Sequence, residues 1–184
     1  MTRARGTRPS RETYFPRIRE LYRRHRGITR ALSCAYEEAA SVCLYAAFTP
    51  PTEFAVWARH AVALRLLRWR APTDRQQRTW ANESDRITAA AYGVALAAVE
   101  AELGLVTIGR TRTLTGADYY VTRPGDDDFL ESAYRLEVSG TASSEPRRIN
   151  ERLRQKIRQV AHPRDPSLAC VVSFGALKVL IHEA

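Results

Sequence analysis

Residues 169–174 read ACVVSF, six positions without a charge. A strand with one wet face alternates apolar and polar side chains. A short continuous apolar run is best explained by a central strand buried on both faces. Such a strand needs neighbours, and the upstream sequence supplies them. Residues 84–103 form an alanine-rich helical pattern closed by Gly104, a residue suited to the left-handed position after a helix. Residues 105–111 and 116–122 then read as two strands, and residues 134–139 as a third. Residues 147–161 read as a second helix, with Pro146 at its entry and Pro163 beyond its exit, and residues 178–182 as a further strand. The order helix, strand, strand, strand, helix, strand predicts an α/β fold: a compact αβββαβ core with a mixed sheet over residues 84–184.

The region before this core has a different character. Residues 1–72 read as an arginine-rich arm followed by a helical region. A basic helix is expected within 11–26, a second helix over 30–47 that stops at Pro50-Pro51, and a third over 52–69 that ends before Pro72. Residues 73–83 are polar and aperiodic and read as a linker. Ten arginines and two glutamates fall in residues 1–30, whereas the rest of the chain is close to neutral. Arginine forks match phosphate oxygens, and each phosphate neutralised releases counterions. Arg17, Arg19, Arg23, Arg24, Arg26 and Arg30 are therefore candidate nucleic-acid contacts; a solvated tail or a protein-binding arm is the competing reading. The amphipathic helices expected between 30 and 69 could also serve a partner protein or self-assembly.

Several classes are disfavoured. No stretch has 18 uninterrupted apolar residues, and the most apolar window, 31–48, carries Glu37 and Glu38 in its middle, which argues against a membrane span. The basic N-terminus has no apolar segment behind it, so no secretory signal is expected. Cys34, Cys43 and Cys170 are odd in number, lack CxxC spacing and read as thiols in a reducing cytoplasm, and the four histidines do not pair with them at zinc-ligand spacing.

The chemistry concentrates in "YRLEVSGT", residues 134–141. Strand alternation puts Glu137 and Ser139 on one face, opposite Leu136 and Val138. If the strand before it is its neighbour, Asp118 near that strand's start converges on Glu137. Two convergent carboxylates repel unless a proton or cation lies between them, and two carboxylates with water and phosphate oxygens are a common magnesium arrangement. In the following helix, Lys156 falls within the apolar stripe of Ile149, Leu153, Ile157 and Val160, with Arg152 and Gln159 on its edge. An ammonium there snorkels out or meets an anion. Each residue also has an ordinary reading: Glu137 as a strand charge paired with Arg135 or Arg110, Asp118 as a turn residue, Lys156 as a flank residue.

The element order, the Asp near the second strand's start, "LEVSG" in the third strand and "RQKIRQ" in the next helix together resemble the PD-(D/E)XK, or restriction-endonuclease-like, nuclease superfamily. The resemblance covers residues 84–184. It implies a metal-dependent nucleic-acid phosphodiesterase using Mg²⁺ or Mn²⁺, with Asp118 and Glu137 as metal ligands and DNA favoured over RNA; a bacterial defence or mobile-element setting would suit such an enzyme. A homodimer would let two sites address both strands. The family places a lysine two residues after the glutamate, where this chain has Ser139. Some branches move that lysine to the next helix, which nominates Lys156 as the third catalytic residue, with Ser139, Arg152 and Gln159 as accessories. Ser139 also motivates the alternative of a catalytically inactive nuclease-fold protein that binds nucleic acid or recruits a partner.

Overall fold

The computed structural model describes residues 13–112, 116–126, 133–161 and 165–184, and it is a mixed α/β protein. After a short 3₁₀ helix at Ile18–Arg23 come α1 (Arg30–Tyr45), β1 (Thr52–Ala58), β2 (Ala61–Leu67), α2 (Asp74–Thr79) and α3 (Glu83–Leu103). These are followed by β3 (Val106–Arg110), β4 (Tyr119–Thr122), β5 (Tyr134–Thr141), α4 (Pro146–Val160), β6 (Ser167–Ser173) and β7 (Lys178–Glu183). Seven strands make one sheet in the order β2-β1-β7-β6-β5-β4-β3. β3, β4 and β5 form an antiparallel meander, and β5 pairs parallel with β6 after the α4 crossover.

The ACVVSF run lies almost wholly in β6, which is buried at every position. Its two faces meet different layers. On β5, Gly140 abuts α3: a Cβ there would lie 2.6 Å from Ile87 Cγ2 and 2.7 Å from the Ile87 carbonyl. The alternate residues Glu137 and Ser139 meet α4 instead, through Lys156 and Arg152. The centre of the sheet, β5 and β6, is thus enclosed between α3 and α4. On the α3 side, α1 packs across α3, and its Tyr36 hydroxyl bonds that of Tyr119 on β4. The small residues of α3, including Ala90, Ala91, Ala95 and Ala98, are fully buried and allow this close approach.

The N-terminal region departs from expectation. Residues 52–69, expected to be a helix, form the β1–β2 hairpin, and β1 pairs parallel with β7, so this region extends the same sheet rather than being all helical. The hairpin turns on Arg59 and His60, at φ 47° and 64°. Left-handed geometry at both central residues is that of a type I′ turn, which normally selects Asn-Gly. An Arg-His turn carries no such signature. The other differences are smaller. In the expected basic helix of 11–26, the ordered element is the 3₁₀ helix, and within the expected linker Thr73 and Gln76 form a reciprocal capping box that starts α2. The helix expected over 147–161 is α4, with Ala161 as its C-cap; Pro163 beyond it and residues 1–12 of the arm lie outside the described residues. No helix among the described residues is long and apolar enough to cross a membrane.

Candidate active site

Tyr119 pairs with Leu136 across β4 and β5, which places Asp118, one residue ahead of β4, opposite Glu137. The Asp118 N–H donates to the Leu136 carbonyl at 2.8 Å, fixing that register. Gly116, at φ 72°, begins the approach to the strand; a side chain there would collide with the Gln159 carbonyl 2.6 Å away, so the glycine lets the end of α4 close over the site. The Asp118 carboxylate is held by two neutral donors. Its Oδ2 accepts the Val138 N–H at 2.9 Å, and its Oδ1 accepts the Tyr92 hydroxyl from α3 at 2.7 Å.

Glu137 is 4% exposed. Its Oε1 accepts from Lys156 Nζ at 2.5 Å and from Gln159 Nε2 at 2.8 Å, while Lys156 also donates to Gln159 Oε1 at 2.9 Å. Because α4 runs back along β5, Arg152 lies one turn from Lys156 and donates to Ser139 Oγ at 3.0 Å. Asp118, Glu137, Lys156, Ser139, Arg152 and Gln159 are therefore brought into one constellation. Burial first, with the neighbouring Asp118 carboxylate adding to it, pushes the Glu137 carboxyl from 4.5 up to about 7, against the opposing pull of Lys156. Burial and the Asp118 carboxylate likewise push the Tyr92 hydroxyl up, so it stays a proton donor to that carboxylate.

The pair lies between two clefts. One, of about 730 Å³, runs between the start of α3 and α4 and includes Asp118, Glu137, Ser139, Arg148, Arg152 and Lys156 in its lining. The other, of about 630 Å³, opens beside Arg110, Arg112 and Gln159 and shares the same two carboxylates. The donor set suits a hard divalent cation. Both oxygens of Asp118 face neutral donors, the Lys156 and Gln159 hydrogen bonds to Glu137 both fall on Oε1, and the Glu137 pKa is raised by burial first and by the neighbouring Asp118 carboxylate after it. Among the described residues no cluster of three or more His, Cys, Asp or Glu side chains is placed to hold a metal. Magnesium commonly uses one or two carboxylates and completes its shell with water and substrate, so two carboxylates suffice.

The N-terminal arginines are placed elsewhere. Arg24 is paired with Glu100 at 2.6 Å, Arg19 with Glu37 at 3.5 Å and Arg17 with Glu20 at 3.8 Å, and Arg23 bonds the Tyr22 hydroxyl. None of Arg17, Arg19, Arg23, Arg24, Arg26 and Arg30 lines the two clefts that share the carboxylates. Glu100 is also committed structurally. Burial raises its pKa, but hydrogen bonds from buried His25 and from Arg24 outweigh that and leave it lowered. Two cleft residues escaped the sequence reading. Tyr92 had a faint signal, since a phenol on a buried alanine-rich helix needs a polar partner; Arg148 had none beyond its place on a basic helix.

No protein-family model, curated protein or solved structure matches the chain.

Proposed function

We propose that the protein is a metal-dependent nucleic-acid phosphodiesterase, with residues 84–184 forming a restriction-endonuclease-like core. The observation that carries this reading is the meeting of Asp118, Glu137 and Lys156 in one open cleft. The meander β3-β4-β5 followed by the α4 crossover to β6 supports the same reading. Asp118 and Glu137 would hold Mg²⁺ or Mn²⁺. Such an ion supplies a polarised phosphoryl oxygen and a water of lowered pKa. Tyr92 and the Val138 N–H keep Asp118 aimed at the cleft. Lys156, anchored by Glu137 and Gln159, presents a positive charge where the attacked phosphate becomes more negative, and Arg152 adds a second beside Ser139.

Cleavage of end-labelled single-stranded and double-stranded DNA and RNA, with Mg²⁺, Mn²⁺ or EDTA, tests the proposal. It expects cleavage that requires metal and disappears in Asp118→Ala. Ser139, in place of the usual lysine, favours a second reading: a binding protein of the same fold without turnover. Binding with no cleavage under any of these conditions would select it.

A further inference from the structure

Extending the reading of the cleft as a nucleic-acid site, we infer that the sugar-phosphate backbone is held along the arginine face of α4 and not by the N-terminal arginines. In α4, PRRINERLRQKIRQV, five arginines and one lysine stand against one glutamate in 15 residues. Only Ile149 and Val160 of this helix are buried. The remainder is far more basic than a merely solvated face requires.

The position of these cations carries the argument. α4 runs antiparallel to β5, so Lys156 faces Glu137, Arg152 faces Ser139, and Arg148 reaches the level of Thr141 and Ser143. Successive members of this row are about 6 Å apart along the helix axis. The cleft holding the carboxylates shares Thr141, Ser143, Arg148 and Arg152 with a neighbouring cleft of about 590 Å³, which continues to Gln155, Arg158 and Glu151, the last paired with Arg147 at 3.0 Å. The two make one groove leading from Asp118 and Glu137 along α4. Among the described residues Arg152 and Arg158 have no carboxylate partner, and the Arg148–Glu145 pair, at 2.8 Å, has side chains 73% and 52% exposed. An exposed pair of this kind is weak and exchanges readily for a phosphate. Arg24, by contrast, is held by Glu100 with side chains 30% and 17% exposed, so its charge is already compensated within the fold, and Arg17 and Arg19, though their pairs with Glu20 and Glu37 are exposed, line neither part of this groove.

Fluorescence anisotropy with labelled single-stranded and duplex oligonucleotides, in EDTA and across a salt series, tests this. Arg148→Ala, Arg152→Ala and Arg158→Ala should each weaken binding by roughly 3-fold to 10-fold and lower the salt slope by about one phosphate contact. Arg19→Ala and Arg30→Ala should retain wild-type affinity. Unchanged affinity and slope in all three α4 variants, loss confined to the N-terminal variants, or absence of binding to every probe would overturn the inference. A parallel cleavage assay in Mg²⁺ separates it from the nuclease reading. Binding that depends on α4 without cleavage would keep this surface and remove the enzyme; cleavage with α4-independent binding would do the reverse.

Discussion

Replacing Glu137 with glutamine removes one ionisation and keeps the shape of the side chain. In the folded protein that carboxyl titrates at about 7, against an ordinary value of 4.5. A carboxyl whose folded pKa is raised stabilises the fold fully below its unfolded pKa and loses that contribution as pH climbs through the folded value. At 1.36 kcal/mol for each pH unit between the two values, wild type should lose about 3 kcal/mol relative to Glu137→Gln between pH 4 and pH 8. For a chain of this length that is about 6 to 12 °C in Tm. The side chain is only 5% exposed, so solvent screening takes little from the figure. Urea unfolding of both proteins across this range, in EDTA, is the assay. Asp118→Asn should shrink the difference in part, because burial comes before the carboxylate repulsion, whereas Lys156→Ala should enlarge it. Parallel pH profiles for wild type and Glu137→Gln would refute the reasoning.

Tyr92→Phe removes a hydrogen bond to Asp118 and should cost about 1.5 to 3 kcal/mol in urea unfolding, together with a roughly 10-fold to 100-fold loss of Mn²⁺ affinity measured by calorimetry. Gly140→Ala sets a methyl against the Ile87 carbonyl, which cannot move without α3; the expected loss is about 1 to 3 kcal/mol, measured by urea unfolding. Glu100→Ala strands Arg24 and buried His25 and should cost about 3 kcal/mol in thermal unfolding, with Mn²⁺ affinity unchanged.

From residue 84 onward the sequence was informative because local signals and tertiary roles agree. The buried alanines of α3 end at Gly104 in the left-handed conformation, Pro146 opens α4, and the continuous apolar run is β6. The β1–β2 hairpin was hidden for a physical reason. Its turn residues, Arg59 and His60, are poor left-handed formers, and both faces of β2 carry apolar side chains, with Val62 and Leu64 each 55% exposed. Alternation was therefore lost and the stretch passed for a helix. α2 buries no residue, so it left only its capping box to read. In the site, strand parity together with the pairing of consecutive strands brought Asp118 towards Glu137, and helical angle put Lys156 on the packed face, while the register that sets the two carboxylates opposite came only from the fold. Tyr92 approaches from another element, and only the tertiary fold joins it to Asp118. At the N-terminus a count of arginines does not reveal that Arg19 and Arg24 meet Glu37 and Glu100.

The proposed divalent-cation site of Asp118 and Glu137 can be tested without knowing the substrate. Mn²⁺ titration followed by electron paramagnetic resonance at pH 8, on wild type, Asp118→Asn and Glu137→Gln, measures it directly. One saturable ion is expected in wild type, and its loss in each variant. Absence of saturable binding in wild type, or equal binding in all three proteins, would contradict it.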